Sequence, residues 1–253
     1  MRMLAVDIGN TSVYVALFAE GRILKRLRFA TSEVKTKAAR AVAALAKSER
    51  AEAVVIGSVV PEAGKKLKTA LLRAKTRALL IGTDLDVPVP NRYRDPRQVG
   101  TDRLLNAAAA WEEHERACIV VDFGTAITFD VVSSKGEYLG GVIAPGIEIT
   151  LDSLFERTAL LPKIKLADPS GVVGKDTVES IQSGCTYGLG GLCDRLVEEI
   201  SRTQKTRPTV VFTGGNAAFM ARYCRRVDHI DPDLTVRGIL LTYASFKPSP
   251  GAV

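Results

Sequence analysis

Histidine and tryptophan are nearly missing from this chain: His114 and His229 are its two histidines and Trp111 its one tryptophan, in 253 residues. Cysteine is sparse too. Cys118, Cys185, Cys193 and Cys224 show no CxxC spacing, and so few scattered ligands argue against a zinc site. Nothing marks the chain for secretion, so the thiols read as small buried apolar residues, kept reduced in a cytoplasmic protein. The start MRMLAVDIG lacks a sustained apolar stretch before its first Asp, unlike a signal peptide. No uninterrupted apolar run approaches the roughly 20 residues of a membrane span, so no membrane partner is expected. Aromatic residues make up only 6%. That leaves little for base stacking, and no nucleic-acid motif is present. The net charge of +7 is a mild bias. Its basic residues sit mainly in 22–50 and 65–77, interleaved with Ala and Leu at helical spacing. Solvated helix faces account for them, and no nucleic-acid partner is expected.

What is present is ordinary globular material, 46% hydrophobic and 25% charged. The length suits one large domain or two small ones. Apolar and β-branched runs at 3–8, 12–18 and 22–30, with turns at Gly9-Asn10-Thr11 and Glu20-Gly21, predict a three-stranded antiparallel meander. A helix over 33–48 with Ser32 as N-cap follows, then a strand at 53–58, a helix from Pro61 to about Ala74 and a strand at 77–81. Residues 82–99 form a proline-rich loop, of a length that is often functional. A helix then runs from about Gly100 to Glu115 with Asp102 in its first turn. The pattern starts again with strands at 117–123, 127–132 and 137–143 and a helix to about Arg157. An irregular stretch covers 158–176. A long helix with a glycine-rich middle spans 177–203, followed by a strand at 208–213, a helix at 215–225, a short strand at 227–230 and a helix at 233–246. The tail 247–253 is expected to fray.

The two halves match in register. Val6-Asp7-x-Gly9 returns as Val121-Asp122-x-Gly124, an offset of 115, and Gly21 returns as Gly136 at the same offset. Each copy opens a three-strand meander. This indicates an internal duplication, two similar α/β domains over 1–115 and 116–253. Each repeated turn sets a carboxylate at a strand end beside glycine and hydroxyl residues. Glycine lets a ligand approach the backbone. Successive N–H groups and the hydroxyls of Thr11, Ser12 and Thr125 can donate to phosphate oxygens. A carboxylate beside phosphate needs a cation between them, so the pair of turns points to a cation–phosphate site. A single such turn would read equally well as a simple hairpin.

Three segments resemble the phosphate-1, phosphate-2 and adenosine motifs of the actin-like ATPase and sugar kinase superfamily: VDIGNTS, VDFGTAIT and Thr213-Gly214-Gly215-Asn216-Ala217. Further segments, in order, resemble type III pantothenate kinases. They are Gly100-x-Asp102-Arg103 with Asn106, then Gly140-Gly141-x-Ile143-x-Pro145-Gly146, then Gly174-Lys175-x-Thr177 with Ser180-Ile181-Gln182-Ser183-Gly184. The resemblance covers about residues 3–246. Thr101 fills the variable position of the GxDR motif. Gly171-x-x-Gly174-Lys175-Asp176-Thr177 is not a P-loop: it is two residues short, and Asp176 replaces the required hydroxyl residue. Gly188-Leu189-Gly190-Gly191 lacks the preceding strand of a dinucleotide turn and reads as close helix packing.

The resemblance implies two ribonuclease H-like (actin-like ATPase) domains, each a mixed sheet flanked by helices. It implies ATP as phosphoryl donor and the primary hydroxyl of pantothenate as acceptor, the first step of coenzyme A biosynthesis. Asp102 would be the catalytic base, although a helix N-terminal carboxylate is also favoured by the dipole alone. Asp7, Ile8, Gly9, Asn10, Thr11, Ser12, Val13, Tyr14 and Thr125 would embrace ATP, with Asp7 holding Mg²⁺ directly or through water. Asp122 would hold a monovalent cation, K⁺ or NH₄⁺. Tyr93, Gly100, Thr101, Asp102 and Arg103 would contact pantothenate. The family forms homodimers, and Thr177 would be a substrate contact supplied across the dimer; an N-cap role is its plain alternative. Three other functions stay open: a non-catalytic nucleotide-binding accessory relative, a different kinase or phosphatase of this fold, and a basic nucleic-acid binder.

Overall fold

The computed structural model describes residues 1–246; the expectation for 247–253 lies outside them. The chain divides into two compact units, Met1–Glu112 joined by the segment from Asp233, and Glu113–Pro232.

The first unit is built on the predicted meander. Strands β1 (Arg2–Ile8), β2 (Ser12–Ala19) and β3 (Arg22–Ala30) pair antiparallel. Strand β4 (Ala53–Ser58) lies parallel to β1, and β5 (Ala78–Leu80) parallel to β4, giving the order β3-β2-β1-β4-β5. The period of two along β1 sorts its side chains to opposite faces. Leu4, Val6 and Ile8 enter a core with helices α1 (Ala39–Ser48) and α2 (Pro61–Arg73). Met3 and Ala5 enter the opposite one, with α3 (Thr101–His114) and the chain's last helix, residues 234–245. The entry to α1 differs from the expected capped helix. Thr31–Glu33 is a 3₁₀ turn and Val34–Ala38 a π-helical turn, so Ser32 is not an N-cap. Thr31 is committed elsewhere, its hydroxyl donating to Gly9 O at 2.8 Å.

The second unit repeats this plan. Strands β6 (Cys118–Phe123), β7 (Ala126–Val132) and β8 (Tyr138–Pro145) form its antiparallel meander. Strand β9 (Thr209–Thr213) is parallel to β6 and β10 (His229–Ile230) to β9. The order β8-β7-β6-β9-β10 is that of the first sheet, strand for strand. Gly21 and Gly136 both take left-handed φ, 78° and 77°, a conformation glycine adopts without a Cβ penalty. Helices α4 (Ile147–Arg157), α5 (Thr177–Ser183) and α6 (Leu189–Gln204) cover one face of the sheet through Ile147, Leu151, Ile181 and Val197. A π-helical turn, Gly184–Gly188, connects α5 to α6, so the long glycine-rich helix is continuous but underwound in its middle. The helix expected over 215–225 is only α7 (Ala217–Met220), and α8 spans Leu234–Ser245.

One boundary departs from expectation. The duplication suggested that everything from 116 onward forms the second domain, but α8 packs with the first unit. Its Val236 and Ile239 join the core under β1 and β4. Gly238 lets the α8 backbone lie against the backbone of Leu105, where any side chain would collide. Thr235 Oγ1 donates to Asn106 Oδ1 at 2.8 Å.

Candidate functional site

The first turn grows out of β1. Asp7 is the penultimate residue of that strand, opposite Tyr14 on β2 and Gly57 on β4. Gly9 N donates to Ser12 O at 2.9 Å, which closes the turn. Asn10 and Thr11 are exposed at its tip, and Ser12 is half-buried. Ile8 and Val13 put their side chains wholly in the core, leaving only their backbone for a ligand. The Tyr14 hydroxyl also turns away, donating to Asp233 Oδ1 at 2.6 Å. Arg26 grips the same carboxylate, Nε at 3.1 Å and Nη2 at 2.6 Å. Burial, then the hydrogen bond to Asp233, pushes the Tyr14 phenol up to about 12.

The start of α3 lies beside this turn. Val59 N donates to Ile8 O at 3.1 Å, and Val59 Cγ1 lies 3.7 Å from where a Cβ on Gly100 would stand. The Asp102 carboxylate thus stands near the carboxyl ends of the parallel pair β1 and β4, where ligands of open α/β sheets bind. Asp102 Oδ1 accepts the Arg103 N–H at 2.8 Å. Burial raises its pKa above the ordinary carboxylate value, against the opposing pull of that N–H and of the Arg103 charge. Arg103 is itself buried and Thr101 half-buried. Tyr93 lies in the proline-rich loop, held by its N–H donating to Asn91 Oδ1 at 3.0 Å, and lines a cavity of about 490 Å³ with Arg94, Asp95 and Gln98.

In the second unit Asp122 again occupies the penultimate position of its strand. It pairs with Thr128 on β7 and Thr213 on β9. Gly124 N donates to Ala126 O at 3.2 Å, so this turn is tighter than the first, and Thr125 is exposed on it. Backbone presses on the turn from two sides. Gly146, which precedes α4, lies against the carbonyls of Gly124 and Thr125. Gly214, at φ +90°, lies against Asp122 Oδ1 and the Phe123 backbone. A side chain at either glycine would collide. The adenosine-like segment after β9 and the phosphate-2-like turn are therefore one packed feature.

Thr177 is the exposed first residue of α5. The N-cap is Asp176, whose carboxylate accepts from Glu179 N at 2.8 Å, while Glu179 Oε2 accepts from Lys175 N at 2.8 Å. The Asp176 side chain thus caps the helix start without Thr177. Thr177 lines a cavity of about 650 Å³ with Thr150, Leu154, Lys175, Ile181 and Leu189.

A family model described as type III pantothenate kinase matches residues 3–199. A type III pantothenate kinase from Anaeromyxobacter sp. (strain K) is 41% identical over 250 residues, covering 95% of this chain and 98% of the relative. The chain belongs to the type III pantothenate kinase family. Two solved structures show the fold of this pantothenate kinase family member at lower identity. A Campylobacter jejuni protein carrying the name of Baf family transcriptional activator aligns with TM-score 0.61 at 20% identity, over 95% of this chain and 97% of its own. A ROK family glucokinase from Streptomyces griseus, in complex with glucose and AMPPNP, aligns with TM-score 0.55 at 13% identity, over 97% and 100%. The second of these shows the sugar kinase fold that the motif resemblance implied.

Sequence reasoning missed the Asp233–Arg26–Tyr14 cluster and the closing roles of Gly146 and Gly214. The first joins residues more than 200 apart in the chain and leaves no local signal. The glycines did stand inside recognised motifs, but which atoms they approach depends on the tertiary fold.

Proposed function

We propose that this protein transfers the γ-phosphoryl group of ATP to the primary hydroxyl of pantothenate, giving 4′-phosphopantothenate and ADP. The observation that carries the reading is the twice-built turn, Asp7 to Ser12 and Asp122 to Thr125, each with its carboxylate at the end of a central strand. Phosphoryl transfer asks a protein chiefly to position groups and balance charge. Backbone N–H groups of the turns and the hydroxyls of Thr11, Ser12 and Thr125 donate to phosphate oxygens. Asp102 accepts the hydroxyl proton as the alcohol oxygen bonds to phosphorus and the bond to ADP breaks. A carboxylate raised above its ordinary pKa is better matched to that task than an exposed one. Arg103 offers its guanidinium to the pantothenate carboxylate, and Tyr93, Gly100 and Thr101 complete the acceptor side.

The donor sets suit hard cations. Each turn supplies one carboxylate and hydroxyl oxygens, a set that leaves ligand positions for water and phosphate. Asp7 would hold Mg²⁺ directly or through water, and Asp122 would hold K⁺ or NH₄⁺; such cations lower the repulsion among phosphate charges. No helix among the described residues is long and apolar enough to cross a membrane, in keeping with a cytoplasmic enzyme. The working form is a homodimer in which Thr177 reaches the acceptor of the other subunit. The exposed apolar residues Leu160, Val172, Val173 and Tyr187 support an interface in this region, and Gly184, Gly188 and Gly191 have open space where a side chain would project.

An ADP-coupled assay with pantothenate, several sugars and glycerol as acceptors tests the reading. ADP release that depends on pantothenate, with 4′-phosphopantothenate identified by mass, is the expected result. Turnover with a sugar alone, or nucleotide binding with no acceptor-dependent turnover, overturns it.

A further inference from the structure

Gly100 sits two residues before Asp102, and its missing side chain leaves room for the Asp102 carboxylate. A Cβ built there would stand 2.5 Å from Asp102 Oδ1; the next atoms, Asp102 Cγ and Val59 Cγ1, are 3.6 and 3.7 Å away. The obstacle is a single carboxylate oxygen. Backbone conformation does not explain the glycine, because Gly100 is not among the residues with left-handed φ. The crowded oxygen is also the one that accepts the Arg103 N–H. The carboxylate is therefore held between the bare Cα of Gly100 and the first turn of α3. The second unit uses the same device, with Gly214 against Asp122 Oδ1, although there a left-handed φ also demands glycine.

We propose that Gly100 is a positioning residue: it admits the one side-chain conformation in which Asp102 Oδ1 is fixed by the Arg103 N–H and Oδ2 is presented to the acceptor hydroxyl. The proposal rests on the reading of Asp102 as the base. An added Cβ would collide only with the far end of a side chain that can rotate. The fold should survive a methyl group at position 100, and the carboxylate should be what moves. Displacement takes away both the burial, which raises the carboxyl, and the Arg103 N–H, which lowers it; burial is the larger and sets the net direction, so losing both brings the carboxyl down.

The test is Gly100→Ala, read in two ways. First, the carboxyl carbon of Asp102 is titrated by ¹³C NMR in the protein without substrates, its signal assigned by loss in Asp102→Asn. The titration should move down toward the ordinary aspartate value of about 3.9. Second, kcat should fall about 10- to 100-fold, the effect of displacing a reacting group by about an ångström. KM for ATP and the melting temperature should stay near the parent's. In an Asp102→Ala background, where the crowded carboxylate is gone, Gly100→Ala should cause no further change in stability. An unchanged titration together with unchanged turnover in Gly100→Ala overturns the proposal. So does loss of folding that persists in the Asp102→Ala background, since the obstacle would then lie elsewhere. If Asp102→Asn turns over normally, the base assignment fails, and the NMR titration alone decides whether Gly100 positions the carboxylate.

Discussion

At Asp102 burial and the first turn of α3 pull in opposite directions, and burial prevails. The sign has a consequence for stability. Below the unfolded value, near 3.9, both states hold the proton and nothing is lost. As pH rises past it the unfolded chain sheds its proton first, and a cost to folding grows until the folded carboxyl has also ionised. Asp102→Asn removes that cost. The variant should be more stable than the parent at pH 7.5, and the gap should close below about pH 4; denaturant titrations at both pH values check this. The same variant should lose kcat on the order of 10²–10⁴ while remaining folded. Near-parental turnover would contradict the base assignment. This carboxylate was legible in the sequence because it sits in a compact motif. Its neighbour Gly100 was legible only as a motif letter, since what a Cβ would strike there is a fact of three dimensions.

Between elements, the Asp233 carboxylate ties β2 and β3 to the start of α8. Burial raises its pKa, but the hydrogen bonds from Arg26 and Tyr14 together outweigh that and leave it lowered. Its stabilisation is present above the unfolded value and fades as pH falls through the folded one, the reverse of Asp102. Arg26→Leu strands a largely buried charge and should cost about 1–3 kcal/mol at pH 7. The deficit should shrink in acid as Asp233 takes up a proton, which urea melts at pH 7 and pH 3 would reveal. The meanders and parallel strands were readable from alternation and turn residues. The broken entry to α1 was not, because Thr31 is drawn to Gly9 by a contact across the sheet end. The Asp122 turn makes its own prediction at this scale. Turnover should rise when K⁺ or NH₄⁺ replaces Na⁺, and Asp122→Ala should abolish the response; equal rates in K⁺-free and K⁺-containing buffer would remove the cation from the mechanism.

For the whole molecule, duplication was visible in two short motifs at one offset, and the matching strand orders bear it out. The return of α8 to the first unit was hidden because its apolar face would suit either sheet; Gly238 against Leu105 is what selects one. The glycines of the α5–α6 region were expected to admit a neighbouring backbone. Gly190 does so within the chain, against Tyr223, whereas Gly184, Gly188 and Gly191 meet nothing among the described residues. Glycine in a helix costs up to about 1 kcal/mol relative to alanine, so three that no described residue approaches favour an approach from another subunit. Beside them Leu160 and Val173 are 92% and 73% exposed, an unfavourable arrangement for a monomer in water. Thr177, relieved of capping by Asp176, is available to such a neighbour. If each pocket borrows Thr177 from the other subunit, Asp102→Asn chains and chains with a bulky residue at 177 should both be inactive alone. Refolded together, they form mixed dimers in which one pocket keeps both parental residues, and for random pairing about a quarter of parental activity should return, since half of the dimers are mixed and each has one intact pocket of two. Sedimentation of the parent at assay concentration should show a dimer. A fully active monomer, or no recovery despite subunit exchange proven with tagged chains, would refute the shared pocket and return Thr177 to its own subunit's surface.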